Sequence, residues 1–216
     1  MKENIKPIKF IKPIIDYHLS NRVDNIDRKT GCFHPSSLTK CPILLYEDYL
    51  KDTLASSDGE PTLKRIFDNG RYVHSRLQSY CKDIGILIDE DVPISDDKYE
   101  ICGEVDGLLK FWDELIVMDV KSINKAGFHN LMLPSMSYII QLNIYLYCLD
   151  LKYGILLYEC KDNQEMAEFL IKYDPNILVP VFKKIKYVQQ CIKTGTIPVK
   201  EECDYCKWCD RKDNCK

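Results

Sequence analysis

The chain has 216 residues, 45% hydrophobic and 29% charged, a balance that suits one soluble globular domain with a sizeable core. No apolar run of about 18 residues occurs, and the start, Met1-Lys2-Glu3-Asn4, has no apolar segment of the signal-peptide kind, so neither a membrane span nor secretion is expected. The net charge of −3 excludes a broadly basic surface. Any anion-binding face must be local: Lys2, Lys6, Lys9 and Lys12, or Lys183, Lys184 and Lys186, or Lys207, Arg211 and Lys212.

Residues 1–35 read as an approach segment with a helix near Ile14–Arg22. Pro35-Ser36-Ser37 reads as a helix start, its hydroxyls facing free backbone N–H groups, and that helix is predicted to run to about Leu50. Residues 56–61 are a loop, and Thr62 to about Lys82 shows helical spacing of Leu63, Ile66, Phe67, Val73 and Leu77. Ile84–Pro93, Tyr99–Phe111 and Leu115–Lys121 are β-rich runs that read as an antiparallel meander. A long apolar helix is predicted over Pro134–Leu151, then strands Tyr153–Cys160 and Met166–Tyr173. Asp174-Pro175 starts a last helix that reaches about Lys193 and ends at Gly195. The order predicts an α+β domain with a central mixed sheet flanked by helices. The catalytic core is expected within 60–173, and residues 36–50 are expected to meet 195–216.

Eleven cysteines in a chain expected to be cytoplasmic (or intracellular in a host cell, if viral) favour metal binding over a disulfide framework. Cys203, Cys206, Cys209 and Cys215 crowd the C-terminal end, and Cys41 stands far upstream, before Pro42. Joined to Cys41, the tail would clamp the two ends of the domain on one metal centre. A zinc site made from the tail alone is the other reading, since soft thiolates suit either. Cys32, Cys81, Cys102, Cys148, Cys160 and Cys191 are expected to be packing residues.

Between these ends lies Gly103-Glu104-Val105-Asp106-Gly107, followed by Asp119-Val120-Lys121. Carboxylates on adjacent strands can share a hard cation such as Mg²⁺ or Mn²⁺, and on a strand Lys121 points to the same face as Asp119. Taken alone, Asp119 and Lys121 read as a surface ion pair. His74 adds an imidazole, a good ligand beside carboxylates. Gln141 and Tyr145 share one helix face by their spacing. Glu90 and Glu104 are further acids nearby.

In this order the residues resemble the PD-(D/E)XK nuclease superfamily, and within it the iron–sulfur RecB-like exonucleases. These include a CRISPR-associated exonuclease and the nuclease domain of AddB-type helicase–nucleases. The resemblance covers about residues 34–216. It implies a restriction-endonuclease-like core in one nuclease domain, with the cysteine cluster packed on an N-terminal helix. It implies Mn²⁺ or Mg²⁺ held by His74, Asp106, Asp119 and the Val120 carbonyl, and Lys121 as the catalytic lysine. Gln141 and Tyr145 would flank the site. Cys41, Cys206, Cys209 and Cys215 would hold a 4Fe–4S cluster, with Zn²⁺ the alternative and Cys203 able to displace Cys209. The implied substrate is DNA, single-stranded or at ends, with protein partners in a DNA-processing complex. A composition rich in Lys, Ile and Tyr hints at an AT-rich genome such as a phage's. The competing function is a non-catalytic module of the same fold that binds DNA ends or a partner.

Overall fold

The chain folds around a five-stranded mixed sheet, seen in a computed structural model that describes residues 11–22, 29–51, 60–111, 113–203, 205, 206 and 209. The helices are α1 (Ile11–Asn21), α2 (Pro42–Leu50), α3 (Pro61–Asp83), α4 (Lys125–His129), α5 (Met136–Leu149) and α6 (Pro175–Thr194). The strands are β1 (Leu87–Asp96), β2 (Ile101–Phe111), β3 (Glu114–Ile123), β4 (Tyr153–Cys160) and β5 (Met166–Lys172), lying side by side in that order. β1–β2–β3 is an antiparallel meander. β4 runs parallel to β3, a pairing that needs a long crossover, supplied by α4 and α5, and β5 returns antiparallel.

Helices cover both faces. Val73 and Leu77 of α3 pack on Leu109, Met118 and Val120. On the other face α5 packs Leu142, Ile144 and Leu146 with Val117, Leu156 and Tyr158, and α6 and α2 close over it through Leu178, Val181, Ile185 and Leu45. Apolar residues all round α5 suit a helix enclosed between sheet and outer helices. β3 alternates, with Val117 on the α5 side and Met118 and Val120 on the α3 side, so Asp119 and Lys121 fall on the α5 side.

Three sequence expectations change. The helix predicted from Pro35 is two pieces: a 3₁₀ turn at Pro35–Ser37, then α2, which starts only after Cys41. Pro42 at the first helical position of α2 is the true start signal. The first strand begins at Leu87, because α3 holds the chain to Asp83 and Gly85 turns it in the left-handed region, at a φ of +78°. Cys32 and Cys102, expected as separate packing residues, are bonded to each other across 70 residues of sequence. No helix among the described residues is long and apolar enough to cross a membrane.

Candidate active site

The site forms where the sheet divides. β2 and β3 pair only from Phe111↔Glu114 to Gly107↔Met118. Beyond that, β2 stays with β1 as far as Asp96↔Ile101, and β3 stays with β4 as far as Ile123↔Cys160. Asp106 and Asp119 are the first positions past the last rung. Opening a ladder leaves N–H groups that must find other partners. The Val120 N–H is such a donor, and it donates to Asp106 Oδ2 at 2.6 Å.

Asp106 Oδ1 lies 3.2 Å from His74 Nδ1, brought in by α3. Burial works against charge on this imidazole, but the hydrogen bond and charge of Asp106 outweigh it and the His74 pKa is raised. With Nδ1–H donating to Asp106, the lone pair of Nε2 is left for a ligand. One turn on, buried Gln78 donates from Nε2 to the Asp106 carbonyl at 2.7 Å and to Asp91 Oδ1 at 2.9 Å. Asp91 is held at a φ of 51° within β1, a conformation that costs a non-glycine residue energy.

On the α5 side Asp119 is 2% exposed. Lys121 Nζ stands 2.8 Å from Asp119 Oδ2 and donates to Gln141 Oε1 at 3.2 Å. Gln141 Nε2 donates to Tyr145 OH at 2.8 Å and, at 3.4 Å, to Asp119 Oδ1. The Lys121 ammonium also lies 4.6 Å from the centre of the Tyr138 ring, within cation–π range. Burial pushes the Asp119 carboxyl up to about 6; the Asp106 charge adds to this and Lys121 opposes it.

His74, Asp106, Asp119 and Lys121 thus gather at the fork, with Gln141 and Tyr145 behind Lys121. The His74, Asp106 and Asp119 ligand atoms do not all fall within 4.8 Å of one another; Asp119 is turned toward Lys121. The donor chemistry nonetheless fits a hard divalent cation. One imidazole and two carboxylates are present, and Asp119 Oδ2, buried, has the Lys121 ammonium as its counter-charge. Glu90 instead pairs with Lys82 at 3.2 Å, and Glu104 is exposed.

Sequence reasoning did not single out Gln78, Asp91, Tyr138 or the pair formed by Arg76 and Glu159. Arg76 Nη2 reaches both Glu159 oxygens, at 2.6 and 2.9 Å, and Glu159 is 1% exposed. The available signal was spacing: Arg76 and Gln78 lie two and four residues past His74 on one helix.

At the other end, Cys41 precedes α2 and is buried. Lys184 of α6 donates to the Lys40 carbonyl at 2.9 Å, and the Lys40 ammonium sits 5.4 Å from the centre of the Tyr205 ring. Cys203 and Cys206 sulfurs are 3.7 Å apart. Burial, then Cys206 and more weakly Cys41, push the Cys203 thiol up. Cys203 thus lies beside Cys206 and near enough to Cys41 to feel its charge. Cys209 continues the turn, its N–H donating to the Cys206 carbonyl at 3.4 Å. Cys215 lies outside the described residues.

No protein family and no curated protein matches the chain. Solved structures do. The protein SSO0001 is 21% identical, with 95% of this chain and 93% of that chain covered at a TM-score of 0.59. The alkaline exonuclease LHK-Exo from Laribacter hongkongensis is 13% identical, covering 76% of this chain and 89% of its own at a TM-score of 0.53. LHK-Exo in complex with dAMP matches over the same shares at 0.56. The chain shares the fold of these proteins: helices flanking a five-stranded mixed sheet.

Proposed function

We propose that this protein is a divalent-metal-dependent DNA exonuclease of the PD-(D/E)XK superfamily, in its RecB-like iron–sulfur branch. The observation that carries the reading is the fork: the sheet opens one rung before two carboxylates, and histidine, lysine and glutamine side chains fill the opening from both faces. The likeness of the fold to an alkaline exonuclease, one of whose structures holds dAMP, supports it.

His74, Asp106, Asp119 and the Val120 carbonyl would hold Mn²⁺ or Mg²⁺. When bound, the ion polarises the phosphate and acidifies the attacking water. The chain supplies the rest. His74 is oriented by Asp106, and Asp106 is itself fixed by the Val120 N–H and by Gln78 through its own carbonyl. Lys121 offers an ammonium to the charge that develops on the phosphate oxygens. Gln141 positions that ammonium and is tied in turn to Tyr145. Burial of Asp119 keeps water from screening these contacts. Four of Cys41, Cys203, Cys206, Cys209 and Cys215 would hold a 4Fe–4S cluster that staples tail to α2, with the Lys184 ammonium offsetting thiolate charge.

DNA labelled separately at its 5′ and 3′ ends, single- and double-stranded, is incubated with anaerobically purified protein and Mn²⁺ or Mg²⁺. Metal-dependent loss of label is expected, reduced about a hundredfold or more in Lys121→Ala and Asp119→Ala. Equal cutting by those variants overturns the assignment of the site. No cutting by wild type, with DNA still bound, makes the protein a DNA-end-binding module.

A further inference from the structure

Cys32, His34 and Cys102 form a second cluster, separate from the fork and from the tail. Both cysteines are buried, each 6% exposed, and His34 is half-buried. One ligand atom from each residue lies within 4.8 Å of the other two, and among the described residues this is the group of three that does so. The backbone holds the group in register: Phe33 N–H donates to the Glu100 carbonyl at 2.6 Å, and Cys102 N–H to the Phe33 carbonyl at 3.1 Å.

The imidazole is oriented. His34 Nε2 lies 2.9 Å from the Lys29 carbonyl, a contact that only an N–H can make favourably. This tautomer places the Nδ1 lone pair inward, 3.8 Å from Cys102 Sγ. Cys32 Sγ and Cys102 Sγ each lie 3.9 Å from Nε2, the other ring nitrogen. A metal-bound histidine characteristically donates its outer N–H to a backbone carbonyl in this way. A disulfide between Cys32 and Cys102, as the structure has it, makes no use of such a ring.

We propose that Cys32, Cys102 and His34 are the protein ligands of a zinc-class divalent cation, with a fourth position left open. Zn–S and Zn–N bonds of about 2.3 and 2.0–2.1 Å at a tetrahedral centre set sulfur and nitrogen roughly 3.6 Å apart; the 3.8 Å between Cys102 Sγ and Nδ1 needs little adjustment, while the two sulfurs, bonded to each other, must part on reduction. Two thiolates and an imidazole are a soft set that favours zinc over the hard ion of the fork. Binding requires the reduced pair. A cellular thiol of the glutathione class gives two electrons and two protons to the disulfide and leaves as its own disulfide. The cation then displaces both thiol protons to solvent. The loop so anchored carries Pro35, which packs on β2 at Gly103, where an added Cβ would lie 3.0 Å from Pro35 Cδ. Gly103 is three residues before Asp106, so the cation would fasten the β2 arm of the fork.

The test reads individual cysteines and so is independent of tail and activity. Full-length protein, purified anaerobically and reduced with a phosphine, is divided between excess Zn²⁺ and a chelator, alkylated with N-ethylmaleimide, and mapped by peptide mass spectrometry. The expected result is loss of reactivity at both Cys32 and Cys102 with Zn²⁺, and return of that reactivity in His34→Ala. Equal alkylation with and without Zn²⁺ in wild type overturns the proposal, whether or not the variant folds. So does recovery of a crosslinked 32–102 peptide despite zinc, or zinc protection that survives in His34→Ala.

Discussion

Asp119 carries its charge in a place that resists it, and this has a measurable consequence. Its folded pKa of about 6 lies above the ordinary carboxylate value of about 3.9, so the folded state binds the extra proton between these limits. Stability from this group is full below about pH 4 and is lost as pH rises through about 6. His74 acts in the same direction, since its pKa is also raised, with its contribution lost above its ordinary range near 6.5. Metal-free protein should therefore lose up to about 3 kcal/mol from Asp119 between pH 4 and 7. Urea melts in chelator should show that decline made shallower by Asp119→Asn; an unchanged slope removes Asp119 as its source. Gln78 tests support of the other carboxylate. Gln78→Leu leaves the Asp106 carbonyl and Asp91 without their donor, at a cost of about 1–3 kcal/mol. As a positioning residue its loss should also weaken Mn²⁺ binding, measured by calorimetry at full folding; unchanged Mn²⁺ affinity in Gln78→Leu would limit Gln78 to a structural role. Gln141 and Tyr145 were legible in the sequence because two polar residues at helical spacing stand out in an apolar helix. Gln78 was not, because α3 is polar along much of its length and one buried glutamine there looks like its solvated neighbours.

At the scale of elements, the decisive feature is where pairing stops. Strand existence was legible from alternation and from turn residues, and the meander follows from short connections. The division of the sheet one rung before Asp106 and Asp119 was not, because register depends on partners rather than on either strand's own pattern. The same holds for the close approach of α5 to β4. A Cβ at Gly154 would lie 2.8–3.0 Å from Cδ1, Cγ and Cδ2 of Leu142, a side chain with no exposure. Because rotation about χ2 leaves Cγ in place, relief needs a new χ1 for a fully buried leucine or a shift of α5. Gly154→Ala should cost about 1–3 kcal/mol in urea denaturation. It should also lower the proposed nuclease activity, since α5 holds Gln141 against Lys121. Adding Leu142→Val should restore part of both; if stability returns without activity, the placement of α5 is not what governs the site.

Across the whole molecule, contacts distant in sequence join the layers. Arg76 and Glu159 bind α3 to β4 from 83 residues apart, and Lys184 reaches Lys40 across 144. The α+β class was legible because it needs only the order of elements, and the meeting of residues near Cys41 with the tail was suggested by cysteine spacing. The Cys32 and Cys102 pair was not legible: each sits alone in an apolar stretch, and nothing local marks its partner. The clamp at Cys41 can be separated from ordinary packing because serine is a better helix N-cap than cysteine. Cys41→Ser should therefore preserve or improve the start of α2 while removing a thiolate from the tail group. If that group binds a metal cluster, the variant should lose its iron or zinc. It should also lose about 2–3 kcal/mol or more of stability, since an ion bound only by the folded state adds its binding energy to folding. Metal analysis and thermal melts beside Cys148→Ala, a half-buried thiol elsewhere, would separate the two roles. Full metal content and an unchanged melt in Cys41→Ser would mean that the ends of this domain are held by packing between α2 and α6 alone.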